Sequence, residues 1–172
     1  RKKLPITFIT MLIGTIAISG LPPFAGFFSK DEILAHVYQH NKVLWALGVI
    51  GALFTAFYMF RMMFLTFWGK FRGTEEQKHH LHESPVSMTI PLIVLAILSI
   101  VGGFLGVPHV LGGHHWLNGY LTPVLGESLA LLPALELSHV TEFTLMGISV
   151  GGVIISIIYA YIKYIKNAHI PA

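Results

Sequence analysis

Apolar residues run almost unbroken through four stretches, Leu4 to Leu21, Val43 to Trp68, Val86 to Gly106 and Glu142 to Tyr161, and the polar residues collect between them. Each stretch is long for a buried helix of a soluble domain. The first is about 27 Å as a helix at about 1.5 Å per residue, close to a hydrocarbon core of about 30 Å. The pattern predicts an all-α, polytopic transmembrane helical bundle of about four spans, near residues 4–40, 43–68, 86–106 and 142–162, forming one membrane region over 1–172.

The first span needs a break. A continuous helix from Leu4 to His40 is roughly 55 Å long, more than one straight crossing uses. Pro22 and Pro23 interrupt it, because each lacks an N–H and clashes with the preceding turn. The spacing of Ser29 and Glu32 predicts a helix restarting at Ser29 behind an S-x-x-E capping box, so that two half-helices make a discontinuous span. Trp45, Phe67 and Trp68 stand at the ends of the second span, where aromatic belts meet the interface. Pro91 falls in the first turns of the third span, where a helix tolerates it. Residues 107–141 are rich in Gly, Pro and His and contain no Lys or Arg, with a short amphipathic helix expected around Glu127 to Leu137.

Composition sharpens this picture. Only 11% of the side chains are charged and 54% are hydrophobic, about half the charged fraction of a soluble domain. The net charge of +3 does not point to nucleic acid, since the basic residues flank apolar runs instead of forming one patch. Arg1, Lys2, Lys3, Lys70, Arg72, Lys78, Lys163 and Lys166 lie on one side of the spans and Lys42 alone on the other. That bias puts both ends on the cytoplasmic, negative side of a bacterial inner membrane. The absence of Cys excludes disulfides, thiolate chemistry and Fe–S ligation by this segment. The first residue is not Met and the first apolar run lacks a small-residue cleavage site, so the chain reads as a fragment of a longer protein and not as one opening on a signal peptide.

Lys30 is the sharpest candidate for chemistry. It lies about 18 Å along a helix from Lys42, near mid-membrane if the broken-span reading holds, where a lysine is costly when charged and can exchange its proton. The competing reading makes Leu4 to Leu21 the whole span and everything from Pro22 an outer surface segment. Both give the same sidedness. Asp31 and Glu32 are neighbours on the helix and do not face Lys30, so its partner must come from another helix. Glu32, His36 and His40 share one face, either as a proton-conducting stripe running outward from the break or as a solvated surface. Arg61 is the other intramembrane charge, and it is expected to snorkel to the cytoplasmic surface. His79, His80, His82 and Glu83 form a cluster without metal-ligand spacing, as do His109, His114 and His115, and no metal site is assigned. No phosphate-binding loop or nucleophile triad appears.

The string Leu21-Pro22-Pro23-Phe24-Ala25-Gly26-Phe27-Phe28-Ser29-Lys30-Asp31-Glu32 resembles the broken helix in the C-terminal part of the L subunit of bacterial respiratory complex I, equivalent to mitochondrial subunit 5. The resemblance continues through Ala56-Phe57-Tyr58-Met59-Phe60-Arg61-Met62. It implies an antiporter-like, proton-translocating membrane subunit of an NADH:quinone oxidoreductase. In that family the lysine matching Lys30 is a central proton-transfer residue and the acid matching Asp31 lies on the outward path. NADH, FMN, Fe–S clusters and quinone would belong to other subunits, with no cofactor in this segment. The implied partners are the lipid bilayer and other membrane subunits, above all the neighbouring antiporter-like one. The same helix and lysine also occur in the A subunit of the multisubunit sodium/proton antiporter, the alternative reading. A third is a membrane scaffold without transport.

Overall fold

A computed structural model of the chain describes residues 1–69, 71, 73–107, 116–130 and 137–166, without the side chains of 116–118 and 127–130. Lys70, Arg72, His109, His114 and His115 lie outside the described residues. The described residues are helical throughout their ordered elements: α1 (Pro5–Ser19), α2 (Ala25–His40), α3 (Lys42–Met63), α4 (Glu75–His79), α5 (Val86–Val101), α6 (Trp116–Ala130) and α7 (His139–Tyr161). Three of them run on into tighter or wider turns. A π-helical turn, Phe64–Trp68, extends α3; a 3₁₀ turn, Gly102–Leu105, extends α5; and a second π-helical turn, Ile162–Lys166, extends α7.

Lys42–Trp68, Val86–Leu105 and His139–Lys166 are each long and apolar enough to cross a membrane, and Pro5–Ser19 is a shorter apolar helix. Large apolar side chains such as Val43, Val86, Leu95 and Ile155 lie more than half exposed. A soluble protein rarely offers so continuous an apolar surface, whereas lipid tails do not penalise it.

The first helix ends by a Schellman motif. Gly20 is left-handed at φ 80°, its N–H donates to the Ala17 carbonyl at 3.1 Å and the Leu21 N–H donates to the Ile16 carbonyl at 3.4 Å. Only glycine adopts this conformation without strain, so the chain turns out of α1 one residue before the Leu21-Pro22-Pro23 segment. The new helix opens at Ala25 with Phe24 as an N-cap that makes no side-chain bond. Ser29 therefore does not start it. Ser29 sits a full turn inside α2 and its hydroxyl bonds back to the Ala25 carbonyl at 3.2 Å, so the capping box expected there does not form. A capping box forms instead at Thr74, which accepts from the Gln77 N–H while the Gln77 side chain accepts from the Thr74 N–H.

Asn41 joins α2 to α3 as the sole intervening residue. Its N–H donates to the Val37 carbonyl at 2.7 Å and its side-chain oxygen caps α3 at Val43 and Leu44. This tight joint makes α1 and α2 together run back along α3. A Cβ on Gly48 of α3 would approach Leu34 of α2 to 2.8 Å, and Phe8 of α1 stacks edge-on against Phe67 and Trp68 at the other end of α3.

The two halves cross closely. A Cβ on Gly26 would lie 2.0 Å from the Ala17 carbonyl oxygen, so α2 begins in direct backbone contact with α1. Gly103, at the end of α5, gives the same access to Ala25 and Phe28. On the other flank α7 runs parallel to α3. A Cβ on Gly152 would meet Leu53 at 2.6 Å, Phe57 packs on Tyr159, and Phe60, Phe64 and Ala160 form a buried cluster.

The short helix expected around Glu127 to Leu137 overlaps the end of α6 as far as Ala130, and residues 131–136 lie outside the described set.

Candidate functional site

Three segments build the site: the C-terminal turn of α1, the Gly20 to Phe24 connection and the second turn of α2. The Schellman closure satisfies the Ile16 and Ala17 carbonyls but leaves that of Ile18 exposed at the negative end of the α1 dipole. Lys30 fills that gap. Helical side chains lean towards the N-terminus of their own helix, and the Lys30 stem follows this lean back across the break. Its Nζ donates to the Ile18 carbonyl at 2.5 Å. The stem passes so close to Gly20 that a Cβ there would lie 3.1 Å from the Lys30 Cδ. Gly20 thus serves twice, as the left-handed residue that ends α1 and as the opening through which the lysine reaches it.

The group that meets the Lys30 amine from another helix, among the described residues, is a backbone carbonyl, that of Ile18. Among the described residues the ion pair is Lys78 with Glu75, remote from the break. Asp31 follows Lys30 but turns away from it and is buried, 8% exposed, with its Oδ2 unpartnered among the described residues. A buried oxygen without a hydrogen-bond partner is costly, so it leaves room for a donor from outside the described residues. The site thus joins a half-buried amine on a helix terminus to a buried carboxyl one position along, on different faces of α2.

Glu32 and His40 are exposed and His36 is half-buried. The His36 Nδ1 lies 2.9 Å from the Glu32 carbonyl oxygen, one turn back. The three share a face as their spacing requires, and Glu32 and His40 on it point away from the packed interior.

Arg61 is half-buried and its guanidinium sits 5.5 Å from the Tyr164 ring centroid. Lys163 lies over Tyr159 and Tyr164, and Arg1 over Trp68. These cation–aromatic contacts gather at one end of α3 and α7. At the other end Lys42 stacks on Tyr38.

Glu83 carries a role that sequence reasoning missed. Its Oε2 accepts from the Ile6 N–H at 2.8 Å and the Thr7 N–H at 3.4 Å, and its Oε1 accepts from the Thr7 hydroxyl at 2.5 Å. Leu4, the N-cap residue of α1, makes no side-chain cap, so a carboxylate far downstream supplies one, 77 positions beyond Ile6. The Thr7 hydroxyl, assisted by the two backbone amides, holds the Glu83 carboxyl below the usual carboxylate range. Among the described residues no group of three or more His, Asp or Glu gathers as a metal site. Of the histidines beside Glu83, His82 turns its Nδ1 to the Glu83 carbonyl oxygen at 3.0 Å.

Comparisons with known proteins give the chain's relatives. A family model described as NADH:quinone oxidoreductase/Mrp antiporter, TM, matches residues 1–55, which hold the broken helix and the start of α3. The chain is 45% identical over 191 residues to NAD(P)H-quinone oxidoreductase chain 5 of a Picosynechococcus, covering all of this chain and 28% of that protein. It is 35% identical over 213 residues to the protein of the same name from a Synechocystis, covering 99% of this chain and 29% of that one. Against the chloroplastic NAD(P)H-quinone oxidoreductase subunit 5 of Chaetosphaeridium globosum it is 38% identical over 177 residues, with 98% and 25% covered. The chain thus spans little more than a quarter of the length of the curated relatives it matches. The family match over residues 1–55 and the similarity to these relatives along 98–100% of this chain lead to one conclusion: the chain belongs to the chain 5 family of the NAD(P)H-quinone oxidoreductases.

Proposed function

We propose that this chain is part of a proton-translocating membrane subunit of an NAD(P)H:quinone oxidoreductase, and that Lys30 passes protons outward across the break between α1 and α2. The observation that carries the reading is the Lys30 amine on the Ile18 carbonyl. An amine bonded to a helix end is favoured in its charged form by the dipole and disfavoured by removal from water, so small movements of either helix change its hold on a proton. Depth supports it as well. Leu34 lies beside Gly48, and Lys30 is one turn further in, opposite about residue 52 of the 27-residue Lys42–Trp68 helix. That position is about 15 Å from the Lys42 end of a rod about 40 Å long, and the side chain reaches inward from there. The surface-helix alternative would leave α2 beyond the end of α3.

The buried Asp31 carboxyl is the next proton acceptor in this reading, with Glu32 and His36 continuing the path outward. Both ends of the segment lie on the negative side of an energy-transducing bacterial membrane. Other membrane subunits, including a neighbouring antiporter-like one, complete the path, and the redox cofactors belong to other subunits. The family model's description covers the sodium/proton antiporter too, whereas the relatives' printed names are those of quinone oxidoreductase chains.

The deciding experiment places Lys30→Met and Lys30→Arg in the full-length subunit and measures proton uptake by everted vesicles alongside quinone-reductase turnover. Both variants assemble and both lose most pumping, Lys30→Arg because a guanidinium does not release its proton. Pumping at the parental rate in Lys30→Met overturns the reading. Proton movement that requires a sodium gradient and no quinone reduction selects the antiporter.

A further inference from the structure

We infer that Glu83 is a positioning residue for Lys30, and that the loop between α3 and α5 sets where the Lys30 acceptor sits by holding the opposite end of α1. The inference rests on the proton-transfer reading of Lys30.

The geometry begins at the loop. Glu83 takes two backbone amides and one hydroxyl from the first turn of α1, and the Lys3 ammonium, just before that helix, donates to the Lys78 carbonyl in α4. The segment that joins α3 to α5 therefore grips the start of α1 at two points. Ile18 lies 11 residues beyond Thr7, about 17 Å along the helix, and over three turns an α-helix moves as a stiff rod. A shift or tilt at Ile6 and Thr7 is carried to the Ile18 carbonyl.

Along its middle α1 packs beside α5. A cleft of about 300 Å³ opens there, lined by Thr7, Thr10, Met11 and Gly14 of α1 and by Leu95 and Ser99 of α5. The cleft leaves part of that flank unfilled, so the rod is held less completely there than where it is close-packed. At the far end the Gly26 backbone touches the Ala17 carbonyl, so this close crossing acts as a pivot about which α1 tilts when Glu83 moves its other end. Movement of the loop then changes how the Ile18 carbonyl meets the Lys30 amine, with no direct contact between Glu83 and Lys30.

The test uses the assembled complex and three substitutions, Glu83→Ala, Glu83→Gln and Thr7→Val, with Thr7→Ser as the conservative rescue and Glu76→Gln as an exposed control in the same loop. Protons moved per electron passed to quinone are read at matched subunit content. In Glu83→Ala the ratio falls several-fold while quinone reduction continues. Thr7→Val falls similarly, the Glu83→Ala and Thr7→Val double variant is no worse than either alone because both act on one contact, and Thr7→Ser and Glu76→Gln keep the parental ratio. If Glu83→Ala depletes the subunit, the inference is tested on Glu83→Gln and Thr7→Val, since each keeps side-chain volume and removes part of the grip. A parental ratio in Glu83→Gln and Thr7→Val overturns the inference. If Lys30→Met also pumps normally, the proton-transfer reading has failed; if Lys30→Met is inactive while the Glu83 and Thr7 variants pump fully, only the positioning role has failed.

Discussion

Glu83 and Lys30 stand at opposite ends of α1, a carboxyl on the amides of Ile6 and Thr7 and an amine on the carbonyl of Ile18. Each complements the partial charge of the terminus it meets. The helix is held by two side chains from distant parts of the chain, and the lysine with the strongest claim to function is one of them.

Gly20 is the most sensitive position around that lysine. Any other residue there takes a left-handed conformation that costs about 1 kcal/mol or more, and its Cβ presses on the Lys30 stem 3.1 Å away. Gly20→Ala is expected to assemble, to lower proton pumping by several-fold and to leave quinone reduction less affected. Parallel vesicle assays of the two activities check this.

Gly26 has no such tolerance. A Cβ at 2.0 Å from the Ala17 oxygen cannot be accommodated by a side-chain shift, because both contacting groups are backbone. Gly26→Val should force α1 and α2 apart and reduce the amount of assembled subunit several-fold, read by native gel and immunoblot, whereas Gly14→Ala, which meets nothing within 4 Å, should assemble normally.

The Glu83 contact has a defined pH dependence. Its carboxyl is held below the ordinary value, so folding is favoured by the charged form. The stabilisation is fully present above the unfolded pKa and is lost as pH falls through the folded one, on the acid side of the ordinary carboxylate range. Hydrogen exchange at the Ile6 and Thr7 amides should therefore lose protection in that acid range in the parent. In Glu83→Gln protection stays below the level the parent reaches at neutral pH and does not change in that acid range.

Sidedness follows from the basic residues. The chain contains no cysteine, so single cysteines report cleanly. A cysteine at Tyr120 or Val124, both highly exposed, should react with an impermeant reagent from the outside, and one at Glu76 or Gln77 should not. The reverse pattern overturns the proposed orientation.

The helical class, the membrane character and the interruption at Pro22 and Pro23 were legible in the residues alone, because hydrophobic run length and the missing proline N–H act locally. Arg61 and Lys30 also stand out from sequence, since a charge inside an apolar run has few explanations. What the residues could not say is which group each charge meets. The capping box at Ser29 and Glu32 matched a local pattern, yet the restart of helix at Ala25 overrode it, since the close crossing of Gly26 on Ala17 and of Gly103 on Ala25 places the first turn of α2 earlier. Lys30 meets Ile18 because Gly20 ends α1 with a left-handed turn, leaving the Ile18 carbonyl within reach of the lysine as it leans back from α2. Glu83 reaches Thr7 across 76 positions, a pairing that no local spacing encodes. Propensity and periodicity determine what each segment becomes; contacts between segments far apart in the chain depend on how the rods are laid together, and only the tertiary structure decides that.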